Sequence, residues 1–262
     1  MQSHYMGLEN KVAIVTGGSR GIGEAIALAF GQNGANVVIA DVLSGERVVT
    51  KLRDMNRDCL VVRTDVTSFE SVQDMVQRTL DEFGRVDVLV NNAGVVRIGL
   101  VEDFPVEEWD RIMDVNVKGA FLCCKSIIPH MKRQRSGKII NISSTSGRSG
   151  YARYGAYCAS KFAIVGFTQA LAKEVAEYNI TVNTVCPGVI YTDMWKYLSE
   201  QFGDLRRMNP EASFEAIVKE NIPLGRPQNP EDIAKAVLFL ASSEADNVTG
   251  IALDVSGGQI MR

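Results

Sequence analysis

The sequence contains few of the residues that build metal centres and disulfide frameworks. It has two histidines and five cysteines, namely Cys59, Cys123, Cys124, Cys158 and Cys186, and no two of these cysteines have CxxC spacing. An odd set of cysteines without that spacing argues against a disulfide framework and against a zinc site built from Cys and His. We therefore expect no metal ion, and reduced thiols in a cytoplasmic protein.

Long apolar runs and an excess of positive charge are also absent. No apolar run approaches the roughly eighteen residues of a membrane-spanning helix. The N-terminal MQSHYMG lacks the basic and apolar regions of a signal peptide, and residues 1–6 are interpreted as an extension outside the fold. The 28 Lys and Arg residues against 31 Asp and Glu give a net charge of −3, so no basic field is available for a phosphate backbone. We expect neither a membrane nor nucleic acid as a partner.

Short β-branched segments alternate with longer helix-patterned segments from Lys11 onward. The candidate strands are residues 12–15, 37–40, 60–62, 86–90, 138–142, 180–185 and 251–255. Continuous apolar strands separated by helices predict a parallel sheet covered on both faces, the doubly wound α/β fold of the Rossmann type. We expect a single domain over residues 7–262. The long stretch at about 191–228 is interpreted as a substrate lid, because it mixes large apolar side chains with charges.

A glycine-rich turn, TGGSRGIG at residues 16–23, lies between the first strand and the first helix. A dinucleotide pyrophosphate can rest there on the N-terminal amides of the helix. Gly17 would permit the tight turn, Gly21 the close approach to phosphate and Gly23 the close packing of the helix. The candidate cofactor residues of this turn are Gly17, Ser19, Arg20, Gly21, Ile22 and Gly23.

Two charged residues point to different dinucleotides. Asp41 ends the second strand, where a carboxylate can accept hydrogen bonds from the adenosine ribose and would repel a 2′-phosphate. Arg20, in the glycine turn, could instead pair with a 2′-phosphate. We favour NAD over NADP, because a carboxylate at the ribose penalises NADP directly whereas Arg20 can face solvent.

Tyr157 and Lys161 are four residues apart in a helix-patterned segment, which places a phenol and an ammonium on one helix face. An unperturbed phenol, with a pKa of about 10, is a poor base at neutral pH. A neighbouring ammonium and a nicotinium charge would both favour the phenolate, so we expect a lowered pKa for Tyr157. Ser144 follows the fifth strand, at the end of the sheet where such folds bind ligands.

These motifs together resemble the short-chain dehydrogenase/reductase family. The resemblance covers residues 11–258 and rests on TGGSRGIG, on NNAG at 91–94, on Asn116 and Ser144, on YCASK at 157–161 and on PG at 187–188. Within the family, the Met-Trp pair at 194–195 is similar to NAD-dependent polyol dehydrogenases of the sorbitol type and to acetoin reductases. One departure is SGG at residues 256–258, where the family often has Asp-Gly-Gly, and we expect it to lie away from the reacting atoms.

The resemblance implies a role for each member of a catalytic group. Tyr157 would exchange the proton with the substrate oxygen, Lys161 would lower the pKa of Tyr157 and bind the nicotinamide ribose, and Ser144 would orient the substrate. Asn116 would hold a water in the proton relay from Lys161. Further cofactor contacts implied are Asp65, Val66, Asn91, Ala93, Gly94, Pro187, Gly188, Ile190 and Thr192. A homo-oligomer, most often a tetramer, is also implied, through helices near 110–132 and 153–178.

The predicted activity is hydride transfer between NAD and a secondary alcohol or ketone, with a polyol or other small hydroxy compound as the preferred substrate. Tyr151, Tyr154, Met194 and Trp195 are the candidate walls of the substrate pocket, beside Ser144 and Tyr157. The first alternative is an NADPH-dependent 3-oxoacyl-carrier-protein reductase that uses Arg20. The second is a regulator that senses the dinucleotide without catalysis, and the complete set of Asn116, Ser144, Tyr157 and Lys161 argues against it.

Overall fold

The structure, a computed structural model, describes residues 5–261, and in that part of the chain seven parallel strands form one sheet. The strands are β1 Val12–Thr16, β2 Asn36–Asp41, β3 Cys59–Arg63, β4 Val88–Asn91, β5 Gly137–Ile142, β6 Ile180–Pro187 and β7 Ala252–Val255. Their order in the sheet is β3-β2-β1-β4-β5-β6-β7. Each strand overlaps one expected from the sequence, and the doubly wound α/β fold is confirmed.

Helices cover both faces of the sheet. They are α1 Gly21–Gln32, α2 Glu46–Asp54, α3 Phe69–Phe83, α4 Val106–Met113, α5 Gly119–Gln134, α6 Gly155–Val175, α7 Asp193–Arg206, α8 Pro210–Asn221 and α9 Pro230–Ala241. Buried side chains of α1, α2 and α9 form the core on one face, and those of α3, α5 and α6 form the core on the other. The strands are mostly apolar, as is typical of a parallel sheet that is covered on both faces.

Strand β1 illustrates how the sequence fills these two cores. Ala13 and Val15 belong to the core beneath α1 and α9, whereas Val12 and Ile14 belong to the core beneath α3 and α5. Successive side chains of a strand point to opposite faces, so a run of apolar residues supplies both cores at once.

The strand order reverses at β1, which pairs with β2 on one side and β4 on the other. The connections after β1 and β4 therefore diverge to opposite faces of the sheet and leave a crevice at the carboxyl ends of these strands. In open α/β sheets, that crevice is where ligands bind.

The segment interpreted as a lid contains α7 and α8, which pack against each other. A single parallel bridge between Ile190 and Gln228 joins the two ends of the segment, and the Gln228 amide donates to the Val189 carbonyl at 2.9 Å. The insert therefore leaves and rejoins the fold at one point, beside the end of β6.

Part of the expected N-terminal extension lies on the fold. The Tyr5 amide donates to Asn33 Oδ1 at 2.9 Å, and the Met6 carbonyl accepts from the Ser243 amide at 3.1 Å. Residues 1–4 of the expected extension lie outside the described residues. Across residues 5–261, no helix combines the length and apolar character needed to cross a bilayer.

Candidate active site

A cleft of about 680 Å³ opens at the carboxyl ends of β1, β4, β5 and β6, between the glycine turn and the insert. Most residues proposed from the sequence line it. These are Gly17, Arg20, Gly21, Ile22, Gly23, Asp41, Asp65, Val66, Ala93, Gly94, Ser144, Tyr151, Tyr154, Tyr157, Lys161, Pro187, Gly188, Ile190, Thr192, Met194 and Trp195. Ser19, Asn91 and Asn116 do not contribute to the described wall of this cleft.

The glycine turn is built so tightly that two of its residues have no room for a side chain. A Cβ on Gly23 would stand 2.0 Å from the Gly17 carbonyl oxygen, which lies on the preceding turn. Gly17 has a positive φ of 63°, and a Cβ there would lie 3.0 Å from Ala93 Cα. Glycine at these two residues lets α1 begin directly beneath the cleft.

The turn has the chemistry and space that a pyrophosphate needs. Helix α1 starts at Gly21 without a side-chain cap, so its first amides are free to bind an anion. A Cβ on Gly21 would meet only Thr192, at 3.7 Å, because that side of the residue faces the open cleft. Ser19 Oγ is buried and has no partner among the described residues. The residues present therefore fit a dinucleotide.

Asp41 is fixed beside this turn. Its Oδ2 accepts from the Ser19 amide at 3.0 Å and its Oδ1 accepts from the Leu43 amide at 3.0 Å. Arg20 is turned toward the insert, where its Nη1 lies 3.2 Å from Asp193 Oδ2 and both side chains are more than half exposed. The Asp41 carboxylate therefore lies in the wall of the cleft beside the glycine turn, while the Arg20 guanidinium has an anionic partner in the insert.

The side chain of Asn91 points into the protein, so a contact of this residue with a cofactor would come from its backbone. Its Nδ2 donates to Asn141 Oδ1 at 2.8 Å and lies 3.4 Å from Cys124 Sγ. The next residue, Asn92, lines the cleft, and its Nδ2 donates to the carbonyls of Thr16 and Gly17 at 2.9 and 3.0 Å. Alternation along β4 turns Asn91 away from the ligand side.

Tyr157, Lys161 and Ser144 meet at the opposite end of the cleft. Tyr157 and Lys161 lie one turn apart on α6, with Lys161 Nζ 5.6 Å from the centre of the phenol ring. Lys161 Nζ donates to the carbonyl of Ile142, the last residue of β5, at 3.0 Å. Ser144, two residues after β5, also lines the cleft, and it acts to lower the pKa of the nearby Tyr157 phenol. A phenol, a hydroxyl and an ammonium are thus brought together in the wall of the cleft.

Burial controls the acidity of this group. Burial raises the pKa of Tyr157 to about 12, against a smaller lowering by Ser144. Burial also lowers the pKa of Lys161 to about 8, because the ammonium has left water. Burial therefore raises the pKa of the phenol, and the lowering expected from Lys161 together with a nicotinium charge stays a prediction.

Asn116 lies behind the cleft in a π-helical turn, Asp114–Lys118, between α4 and α5. Its Oδ1 accepts from the Val95 amide at 2.8 Å, and its Nδ2 donates to the Val95 carbonyl at 2.9 Å and to Ser160 Oγ at 3.0 Å. Its side chain therefore ties the loop after β4 to α6, which carries Tyr157 and Lys161.

The remaining wall of the cleft is aromatic. The rings of Tyr151 and Tyr154 are 6.2 Å apart, those of Tyr154 and Tyr157 are 6.1 Å apart, and Phe202 stacks on Tyr154 at 5.9 Å. Met194, Trp195 and Leu198 complete this apolar cluster. Phe202 and Leu198 were not foreseen, although helical spacing from Met194 and Trp195 places all four on neighbouring turns of α7.

Gln259 is a further cleft residue that the sequence did not indicate. It follows the SGG turn, whose own three residues do not contribute to the described wall of the cleft. No local pattern marks a glutamine beyond a glycine turn as a pocket residue. Across residues 5–261 no group of His, Cys, Asp and Glu is arranged to hold a metal ion.

The fold and this cleft define an oxidoreductase that uses a nicotinamide dinucleotide and acts on an alcohol or carbonyl group. Residues 11–203 match the short chain dehydrogenase family, and the chain belongs to that family.

Known relatives match over almost the entire chain. A 3-oxoacyl-[acyl-carrier-protein] reductase of Staphylococcus epidermidis is 39% identical over 255 residues, covering 96% of this chain and all of the relative. One from Vibrio cholerae is 41% identical over 257 residues, covering 98% of this chain and all of the relative. These relatives do not support the preferred resemblance to polyol dehydrogenases.

Two solved structures have the same fold. NAD⁺-bound xylitol dehydrogenase superposes with a TM-score of 0.92 at 30% identity, covering 96% of this chain and all of that chain. Levodione reductase has a TM-score of 0.90 at 30% identity, covering 96% of this chain and 98% of that chain. Likeness to a polyol dehydrogenase is therefore found at the level of structure.

Proposed function

We propose that the protein reduces a 3-oxoacyl group to the 3-hydroxyacyl group. The observation that carries this proposal is the apolar wall beside Tyr157, where Tyr154, Leu198 and Phe202 form one cluster. An acyl chain can pack on such a wall, whereas the hydroxyls of a polyol would lose water there without gaining partners. The names of the relatives from Staphylococcus epidermidis and Vibrio cholerae support the same substrate class.

The chain supplies the proton and the orientation for this reaction. A bound nicotinamide would supply the hydride to the carbonyl carbon. Ser144 would donate a hydrogen bond to the carbonyl oxygen and so polarise the carbonyl, and Tyr157 would transfer the one proton that this oxygen takes up as the alcohol forms. The Lys161 ammonium, fixed by Ile142, favours the phenolate that remains on Tyr157. Asn116 supports this group by holding the loop after β4 against α6.

The proposed cofactor is NAD(H) rather than NADP(H). Asp41 is 8% exposed and is fixed by two backbone amides, so it cannot turn away from a 2′-phosphate without losing both hydrogen bonds. Arg20 is engaged by Asp193, which weakens its attraction for the same phosphate. The pyrophosphate would bind at Gly21, and the remaining contacts are those proposed from the sequence.

A small secondary alcohol is the second candidate substrate. It is favoured by the likeness to xylitol dehydrogenase and by two polar groups on the aromatic wall, the Tyr151 hydroxyl and the Gln259 amide. These groups can bind a hydroxyl of a short substrate, although most of the wall is apolar.

A substrate panel followed by the absorbance of reduced nicotinamide tests the proposal. The panel contains 3-oxoacyl thioesters with NADH and with NADPH, and xylitol and 2,3-butanediol with NAD⁺ and with NADP⁺. We expect kcat/KM for a 3-oxoacyl thioester with NADH to exceed that for either alcohol by at least about tenfold, a factor worth about 1.4 kcal/mol. Efficient xylitol oxidation with no thioester reduction would overturn the proposal in favour of the second candidate.

We also propose a cytoplasmic homo-oligomer, with a tetramer as the expected form. Large apolar side chains are exposed on the helices expected to form the contact, including Trp109, Phe121 and Phe162 at 42%, 45% and 45%. Exposed apolar side chains that lie together mark protein contact surfaces. Sedimentation of the wild type and of Phe162→Asp tests this part, and a monomeric wild type would contradict it.

A further inference from the structure

Ser144 begins a tight turn, residues 144–148, which we call the serine turn and which contains the 3₁₀ helix Thr145–Gly147. Ser144 Oγ accepts from the Ser146 amide at 3.1 Å, and the Ser144 carbonyl accepts from the Gly147 amide at 2.8 Å. The first of these bonds uses an acceptor position of the hydroxyl and leaves its hydrogen free to donate. The conformation of the serine turn therefore sets the direction in which Ser144 can donate.

The sheet and α6 hold the chain where it enters the serine turn. The Ser143 amide donates to the Val185 carbonyl of β6 at 2.8 Å, and Ser143 Oγ donates to the Lys161 carbonyl at 2.9 Å. A Cβ on Gly147 would collide with Ser143 Oγ, so the turn packs directly on this side chain. The position of the residue before Ser144 is thus fixed from two sides.

Arg148 holds the chain where it leaves the serine turn. Its amide donates to the Thr145 carbonyl at 3.0 Å, and its side chain forms an ion pair with Asp254 of β7, in which Nε lies 3.3 Å from Oδ1. The two side chains are only 19% and 13% exposed. Asp254 is itself fixed, because β7 pairs with β6 and places it opposite Cys186. The ion pair therefore ties the exit of the serine turn to the sheet.

This ion pair should be sensitive to the loss of either partner. An ion pair in water contributes little, because the solvent screens both charges. When most of both side chains is out of water, however, removal of one partner leaves the other charge uncompensated. Burial raises the pKa of the adjacent Cys186 thiol to about 11, so the thiol is neutral at pH 7 and the charge that Arg148 meets is that of Asp254. Loss of Arg148 should therefore displace the serine turn.

We infer that Arg148, held by Asp254, is a positioning residue that directs the Ser144 hydroxyl toward the substrate oxygen. The inference rests on the proposed role of Ser144 in polarising the carbonyl. Arg148 does not contribute to the described wall of the cleft. An effect of Arg148 on turnover must therefore pass through the serine turn, at whose other end Ser144 lies.

A double-mutant cycle between Arg148 and Ser144 tests the inference, on the substrate of the panel above for which the wild type has the highest kcat/KM. Ser144→Ala should lower kcat by about 10² to 10³, as does the removal of one hydrogen-bond donor to a reacting oxygen. Arg148→Met should lower kcat about tenfold and change the KM for the dinucleotide by less than about twofold, because only Ser144 is misdirected. In the Ser144→Ala background, Arg148→Met should lower kcat no further, because the hydroxyl through which it acts is gone.

Two further variants separate positioning from stability. Arg148→Lys keeps a cation for Asp254, so its kcat should lie closer to that of the wild type than to that of Arg148→Met. Lys138→Met is the matched control, because Lys138 of β5 is 16% exposed, pairs with Asp246 at 2.7 Å and does not line the cleft. The control should keep the wild-type kcat. Thermal unfolding checks that each variant is folded, and Asp254→Asn, with the same expected losses, replaces Arg148→Met in the cycle if that variant does not fold.

The outcomes distinguish the inference from the role of Ser144 on which it rests. A wild-type kcat in Arg148→Met, losses from Arg148→Met and Ser144→Ala that multiply in the double variant, or an equal loss in Lys138→Met would overturn the inference and leave the role of Ser144 standing. A wild-type kcat in Ser144→Ala would overturn the proposed role of Ser144, and the inference with it.

Discussion

The carboxylate of Asp41 and the backbone amide of Ser19 are joined by a hydrogen bond of 3.0 Å, which links the end of β2 to the glycine turn. The bond fixes a negative charge where the two segments that we propose to bind the cofactor meet. It also removes the freedom that a surface aspartate would have to swing away from an approaching phosphate. We therefore expect the choice between NAD(H) and NADP(H) to depend on a charge that the backbone holds in place.

Replacing Asp41 should shift the cofactor preference. Asp41→Asn removes the charge but keeps an oxygen that can accept from the Ser19 amide. We expect kcat/KM to fall about tenfold with NAD(H) and to rise about tenfold with NADP(H), because a charge-assisted hydrogen bond is lost and a repulsion is relieved. Steady-state kinetics with both cofactors measure the change. A wild type that prefers NADP(H) would contradict the proposed cofactor.

Removal of the Tyr157 hydroxyl should abolish turnover without affecting the fold. Tyr157→Phe keeps the ring that packs on Tyr154 but leaves no proton donor, so we expect kcat to fall by about 10² to 10⁴. Dinucleotide affinity, followed by the fluorescence of Trp195 in the cleft, should change little. Unchanged turnover in Tyr157→Phe would assign the proton transfer to another group. A wild type that binds dinucleotide but transfers no hydride would instead support a regulator that senses the dinucleotide without catalysis.

Lys161 should make the free energy of unfolding depend on pH in the alkaline range. Its pKa is about 8 in the folded protein against 10.5 ordinarily, so between these values the unfolded chain holds a proton that the folded protein has released. The free energy of unfolding therefore rises with pH across this window. Below pH 8 the buried ammonium lowers the free energy of unfolding by its full amount. From the shift, that cost is on the order of 3 kcal/mol.

Lys161→Met should remove this cost at the expense of activity. We expect the variant to be about 1 to 3 kcal/mol more stable than the wild type at pH 7 and the gain to shrink toward pH 10.5. Urea unfolding of both proteins at several pH values measures the difference, with kcat as the second readout. A constant difference between pH 7 and pH 10.5 would be inconsistent with the lowered pKa.

Gly23 should tolerate no side chain. A Cβ at this residue would be 2.0 Å from the Gly17 carbonyl, so Gly23→Ala must displace α1 or the glycine turn. We expect a loss of at least about 2 kcal/mol of stability, as for overpacked sites, together with weaker dinucleotide binding. Gly150→Ala is the control: Gly150 is exposed outside the helices, a Cβ there meets nothing within 4 Å, and stability should change by less than about 0.5 kcal/mol. Thermal unfolding and dinucleotide titration report both effects.

The sequence predicted best those features of the fold and the site that depend only on a few neighbouring residues. Apolar β-branched runs predicted the strands, and the spacing of Gly17, Gly21 and Gly23 predicted the turn before α1. The separation of Tyr157 from Lys161 by four residues placed them on one face of α6. Each of these patterns reflects a local steric or hydrogen-bonding requirement, so no long-range contact was needed to infer it.

Other features required knowledge of contacts between distant segments. The sequence analysis named Asn91 and not Asn92, and only the end of β4 shows that the Asn92 side chain lines the cleft, because one residue along a strand reverses the side. The direction of the Tyr157 pKa shift depends on burial by the surrounding helices rather than on Lys161 alone. Neither can be obtained from spacing along the chain.

The sequence by itself determined the fold, the reaction class and the identity of the tyrosine, lysine and serine that we propose as catalytic. Only the tertiary structure decided what surrounds them. Gln259 and Tyr151 are 108 residues apart in the chain, yet they meet on one wall of the cleft because β7 and its glycine turn end beside β6. Substrate selectivity depends on such long-range contacts, since the pocket is assembled from segments that no local pattern connects.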